Sequence, residues 1–328
     1  MIRVAYVGNF APPHSTENMV KAALEANGCT VFPVQQDEAF RAGLTDNVKQ
    51  NIDLLIYTRS HNRSALHSGW TDVWRQLETR HGVVTASLHL DRFWDLEREK
   101  LIHAHDPLFT TQHVWTADGG NDDRWREAGV NHHWLVPAVD GRAIRDETVA
   151  VREAPEILFV GSTGYHREYP QRDQLVQHLA RTYGPRFMHF GKGGTREVRG
   201  PALTALYRSA KVVVGDSCFA NDRTPRRSVN YFSDRIPETL GRGGFLIHPW
   251  VPGLSSQYDT GRHLVTHVPG DWDDLDAQIG QYLASPGVAE GIADTGRAHV
   301  LRAHTWDVRI RELLDVLGFR DDRIELDA

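Results

Sequence analysis

Apolar runs too short to be helices recur along the whole chain, at residues 2–7, 30–34, 54–57, 83–88 and 113–116, and again at 157–160, 187–190 and 212–214. Between several of them the apolar residues fall at helical spacing, near 16–24, 71–79 and 172–183. Strands and helices in turn are the pattern of a parallel sheet with crossover helices, which makes the chain α/β. The first helix carries its own signals: His14-Ser15-Thr16-Glu17 offers N-cap chemistry, Met19, Val20, Ala23 and Leu24 form the apolar face, and Gly28 stands where a left-handed cap is wanted. The series runs twice. The charged, aperiodic stretch 140–155 between the two reads as an interdomain linker, and 328 residues suffice for two cores. The last apolar stripe, Val308, Ile310, Leu313, Leu314 and Leu317, predicts one more amphipathic helix.

Charge and cysteine content narrow the class. A net charge of −6 argues against a protein that coats nucleic acid, although a local basic patch such as Arg223, Arg226 and Arg227 is compatible with it. The two cysteines, Cys29 and Cys218, have no metal-ligand spacing, which favours a reducing compartment. No apolar run approaches about 18 residues, so the expectation is a cytoplasmic protein without stable membrane insertion.

The segment Ser233-Asp234-Arg235-Ile236-Pro237-Glu238-Thr239-Leu240-Gly241-Arg242-Gly243-Gly244-Phe245-Leu246-Ile247-His248 joins a cation, a carboxylate, a helix start and a glycine-rich turn to an apolar strand. A guanidinium, a ribose-binding acceptor and helix N-terminal amides together suit a nucleoside diphosphate. The segment resembles the donor-binding segment of the GT-B glycosyltransferases, in particular the family-four-like and spore-coat-type group, several of which are phage-encoded. In that group a Glu opens a short helix, followed by a small-residue turn and a strand, the order seen from Glu238 to Ile247. Gly296-Arg297 and His304-Thr305-Trp306 extend the resemblance, which covers the C-terminal half and is looser over the N-terminal half.

The resemblance implies two Rossmann-like doubly wound domains facing a cleft. Residues 1–139 would form the acceptor domain, with 305–328 packing back on it, and 156–304 the nucleotide-sugar donor domain. It implies transfer of a hexosyl or pentosyl group from a nucleotide-diphosphate sugar to an acceptor hydroxyl, with no cofactor beyond the co-substrate, and the lack of an Asp-x-Asp at any strand end makes metal independence the expectation. Arg235 would lie near the donor phosphates and Glu238 on the ribose hydroxyls, flanked by Asp234, Thr239 and Leu240. Where the family often has a second Glu, eight positions earlier, this chain has Asn230, which puts a retaining mechanism leaning on that charge in doubt. Loops after strands bring Gly161, Ser162 and Lys192 to the donor, although glycine after a strand also serves ordinary turns. Asp216, after the run 212–214, stands where α/β proteins put ligands or where a helix begins.

In the first half, Gly8 and Asn9 occupy the place of the family's acceptor loop, with His14 beside them. Arg226 is a candidate for an anionic acceptor, or else part of a solvated loop. His89 and Asp91 follow a strand at its C-terminal end, where a base could take the acceptor's proton, as in an inverting reaction. The acceptor itself is open: a hydroxyl on modified DNA, a small glycan, a lipid-linked sugar or a protein side chain. A nucleotide-sugar epimerase and a non-catalytic nucleotide-sugar or glycan-binding protein are the alternatives.

Overall fold

The structure of the protein, a computed structural model, describes residues 1–36, 51–59, 69–96, 106–144, 154–164, 169, 171–218 and 230–319. The chain divides into two compact units, Met1–Val136 with Trp306–Ala328, and Pro137–Thr305.

In the first unit Val4, Ala5, Tyr6 and Val7 are all wholly buried, so their strand has no solvent face and must lie inside a sheet covered on both sides. That strand, β1 (Arg3–Gly8), is joined by β2 (Thr30–Gln35), β3 (Leu54–Thr58), β4 (Val84–His89), β5 (His113–Thr116) and β6 (His132–Trp134), all parallel, in the order β2-β1-β3-β4-β5-β6. The helix Thr16–Ala26 starts as its sequence predicts, with the Ser15 hydroxyl accepting from the Asn18 amide, and Gly28 adopts φ +83° just beyond it. One core gathers Ala5, Val7, Leu55, Tyr57, Trp74 and Leu77. An aromatic one gathers Phe93, Trp94 and Trp125 with Leu108 and Val114. The C-terminal helix Trp306–Val316 buries Ile310, Leu313 and Leu314 and packs on Thr16–Ala26, where the Asn27 amide donates to the Asp307 carbonyl.

The second unit repeats the arrangement. β7 (Ile157–Val160), β8 (Phe187–Phe190), β9 (Val212–Val214), β10 (Leu246–Pro249) and β11 (Val265–His267) form a parallel sheet in the order β11-β10-β9-β7-β8. Its core holds Ile157, Phe159, Leu175, Leu179, Val212, Val214, Ile247 and Leu275. The helices Arg172–Tyr183, Gly200–Ser209, Arg235–Gly241, Trp272–Leu283 and Pro286–Ala303 belong to this unit. The stretch expected to be a linker begins as part of it. Val139 pairs with Thr305, and Ile144 is wholly buried against Gly241, because both are apolar and the helix Arg235–Gly241 offers them a surface. Among the described residues no helix is long and apolar enough to cross a membrane.

Both sheets share one permutation, with the first strand lying between the second and third. The chain therefore leaves β1 toward one side and β3 toward the other, and likewise at β7 and β9. Such switch points open a crevice beyond the carboxyl ends of the strands, where open α/β sheets take ligands.

Candidate functional site

At the second unit's switch point, β7 ends at Gly161-Ser162 and β9 at Gly215-Asp216. The Asp216 carboxylate, 4% exposed, lies between two guanidinium groups. Arg172 Nε donates to Oδ2 at 2.5 Å and Arg172 Nη2 to Oδ1 at 3.4 Å, while Arg235 Nη1 donates to Oδ1. Arg172 Nη1 also donates to the Ser162 carbonyl at 3.0 Å, and its guanidinium lies 3.9 Å from the Tyr169 ring centroid. Two guanidinium groups thus share this one carboxylate. Burial opposes the charge on Arg235, but Asp216, with the Tyr169 and Tyr207 phenols and Asp234, outweighs it and holds the pKa above the ordinary arginine value. Arg235 is the more accessible of the two arginines, its side chain 20% exposed against 3% for Arg172.

Gly161 is closely approached by its neighbours. A Cβ there would stand 3.0 Å from the Phe159 ring and 3.3 Å from Arg235 Nη2, so the bare backbone is what admits the guanidinium. Gly191, at φ +129°, packs on the Gly161 carbonyl in the same way. The two glycine-bearing loops bind each other. Gly161 N donates to Phe190 O, Thr163 N to Lys192 O, and Gly164 N to the Asp173 carboxylate. Of these four successive amides, only that of Ser162 is not so engaged among the described residues. Lys192 is exposed on the second loop.

The helix start at Arg235 is less open than its sequence suggests. Ile236 N and Glu238 N donate to Ser233 O and Asp234 O, and Pro237 has no N–H to offer. Glu238 pairs with Arg242 (Nε to Oε2, 2.6 Å) rather than with Arg235, which leaves its Oε1, on a side chain 20% exposed, able to accept from a ligand. Thr239 and Leu240 are wholly buried, and a Cβ on Gly296 would lie 3.4 Å from Leu240, so these two side chains seat the helix rather than line a surface. Asn230 packs against Gly253, whose φ of +81° and missing side chain make room for it. His248, on β10, is fully buried with its ring over Gly215. Burial lowers its pKa to about 4, and Nδ1 donates to the Pro249 carbonyl at 2.7 Å.

In the first unit the end of β1 is bound tightly to its surroundings. Glu17, 8% exposed, leans over Gly8, where a Cβ would lie 2.6 Å from its Cγ. Asn9 accepts from Gln35 at 2.9 Å, and Asn18 holds the Phe10 and Pro12 carbonyls. His14 is exposed. At the end of β4, His89 is 2% exposed with its ring edge-on to Phe93, whereas Asp91 beyond it is half-buried. The loop that carries Asp91 is fixed by Asp118, whose carboxylate accepts from the Phe93 and Trp94 amides, and by Arg124 over the Trp94 ring at 4.3 Å. An Arg59–Asp106 pair at 2.7 Å stands at the end of β3. Neither Asp118 nor Arg59 was singled out from sequence, although each follows a strand as Asp91 and Asp216 do. Arg226 lies outside the described residues. Among those described, no three His, Cys, Asp or Glu side chains converge as a metal site would need.

Residues 167–315 match the family described as Glycosyl transferase-like, a span of a little under half the chain. No curated protein matches the chain in sequence. Solved structures match over nearly its whole length. Sucrose-phosphate synthase from Thermosynechococcus elongatus superposes with a TM-score of 0.62 at 14% identity, covering 97% of this chain and 99% of its own. HepE of Anabaena, in complex with UDP and glucose, gives 0.64 at 11% identity, with 98% and 100% covered. An α-glucosyltransferase in complex with UDP and a 13-mer DNA gives 0.67 at 8% identity, with 97% and 100% covered. The fold is that of the GT-B glycosyltransferases.

Proposed function

We propose that the chain is a glycosyltransferase that takes a sugar from a nucleoside-diphosphate donor and passes it to an acceptor hydroxyl. The observation that carries this reading is the Arg235 guanidinium at the β7/β9 switch point, held by Asp216 and admitted by Gly161, in a fold shared with proteins solved with UDP. The donor's pyrophosphate would be bound by Arg235, the Ser162 amide and Lys192, and its ribose by Glu238 Oε1. A charge-assisted hydrogen bond of this kind contributes roughly 1.5–3 kcal/mol.

In the transfer step the acceptor oxygen forms a bond to the sugar's anomeric carbon as the bond from that carbon to the diphosphate breaks. The acceptor's proton passes to a base and the leaving charge is stabilised by Arg235. Of the two candidate bases Asp91 is the more exposed, His89 being buried. With Asn230 where a second carboxylate would stand, the reading is of an inverting reaction. DNA is one acceptor worth testing, since a protein of this fold has been solved with it.

Thermal unfolding with a panel of nucleotide sugars tests the donor. A ligand at ~100 times its dissociation constant adds about 2.7 kcal/mol. Arg235→Ala should abolish that gain, and an unchanged gain would defeat the assignment. Transfer of label to an acceptor, at a rate about 100-fold lower in Asp91→Ala, marks a transferase. An epimerised donor with no transfer would mark an epimerase, and binding with neither would mark a binding protein.

A further inference from the structure

We infer that Arg172 and Asp216 act as positioning residues, which set the Arg235 guanidinium against the diphosphate without touching that ligand themselves. The inference rests on the donor reading given above. Asp216 follows a strand at a switch point, where a carboxylate would ordinarily be read as a ligand-binding acceptor. Its two oxygens are already taken by three guanidinium nitrogens, and the group is 4% exposed, so it has little left to offer a sugar or ribose hydroxyl. Its charge also has the wrong sign to face a phosphate. What it does have is a fixed geometry. Arg172, 3% exposed, binds the carboxylate through two nitrogens and the Ser162 carbonyl through a third.

One side chain thus joins the loop after β7 to the loop after β9, and the carboxylate it orients determines the rotamer of Arg235. The guanidinium then lies over Gly161, next to Ser162. Arginine suits the Arg172 position because a planar fork serves three acceptor contacts at once, which a lysine ammonium on a flexible stem does not.

Simple electrostatics and positioning make opposite predictions for Asp216→Asn. Removing a negative charge beside a phosphate site should tighten anion binding, whereas releasing Arg235 from its anchor should weaken it. The experiment is a double-mutant cycle on the dissociation constant of inorganic pyrophosphate, measured by calorimetry on the full chain, with Asp216→Asn made in the wild type and in Arg235→Ala. The expected result is about tenfold weaker binding in the wild-type background, ~1.4 kcal/mol, and no weakening once Arg235 is absent. Arg172→Lys, which keeps the charge, should show the same dependence on Arg235 and supplies the test if Asp216→Asn fails to fold.

Equal weakening in both backgrounds, or unchanged or tighter binding in the wild-type background, would overturn the positioning role while leaving Arg235 as the phosphate cation. Pyrophosphate binding that Arg235→Ala does not alter would remove the donor reading itself, and this inference with it.

Discussion

Acidification should destabilise the second unit through His248, by an amount that follows from its burial. The ring is wholly buried over Gly215, its Nδ1–H held by the Pro249 carbonyl, and its pKa falls from 6.5 to about 4, first because burial disfavours the charged form. A depressed histidine pKa means that the unfolded chain takes up the proton first. The stability His248 contributes is therefore fully present above about pH 6.5 and is lost as the pH falls toward 4. Across that window the unfolded state binds one more proton than the folded state, which gives a slope of about 1.4 kcal/mol per pH unit and a loss of about 2.5 kcal/mol by pH 4.5. His267, whose pKa burial also lowers, adds to the slope in the same direction. Urea unfolding midpoints between pH 4.5 and 7.5 measure the effect. His248→Asn keeps a donor for the Pro249 carbonyl but cannot be protonated. It should lower stability at neutral pH, through the lost ring, and flatten the profile by about 1.4 kcal/mol per unit. A variant with the wild-type slope would show that His248 takes up its proton as readily in the folded protein as in the unfolded chain, and the burial argument would be wrong.

Two substitutions separate the parts of the proposed donor site. Gly161→Ala places a methyl 3.0 Å from the Phe159 ring and 3.3 Å from Arg235 Nη2, so the guanidinium must move. Pyrophosphate affinity should fall several-fold, about 1 kcal/mol, and unaltered affinity in calorimetry would show that Arg235 does not need this approach. Glu238→Gln keeps an acceptor near Arg242 but loses the charge. It should weaken UDP binding about tenfold, on the order of one charge-assisted bond, while leaving pyrophosphate binding unchanged. A parallel loss for both ligands would place Glu238 at the phosphates instead of the ribose.

The sheets were legible because their central strands are buried on both faces. Runs such as Val4 to Val7 and Ile157 to Phe159 have no polar alternation, and little except a covered parallel strand accommodates them. One edge of each sheet was legible, at β2 and β8, and the other was not. β6, His132–Trp134, is three residues long and carries two histidines, and β11, Val265–His267, is equally short. The helix Pro286–Ala303 packs through small residues, with Gly296 admitting the His263 carbonyl where a Cβ would come within 2.3 Å, and this leaves a faint apolar stripe in the sequence. The stretch from residue 140 reads as a linker by its charge, yet Ile144 is wholly buried against Gly241 of the second unit.

At the candidate site, sequence located the individual groups and missed what joins them. Arg235 and Asp216 were each visible from position, one before a glycine-rich turn and the other after a strand. Their pairing spans 19 residues, and that of Asp216 with Arg172 spans 44, distances over which no periodicity operates. The Glu238–Arg242 pair lies at i,i+4 and was open to a spacing argument, but Arg235 at i−3 was the competing partner, and only the carboxylate shared by Arg172 and Arg235 decides between them. The amide-rich cradle suggested by so many glycines is largely internal. The glycines let two loops cross at backbone distance and bind each other, and the cation at the switch point is a guanidinium instead of a ring of N–H groups. A site built this way depends on side-chain placement more than on loop conformation. Its anion affinity should therefore respond more sharply to the buried residues behind Arg235 than to changes in the glycine loops that leave the Gly161 approach intact.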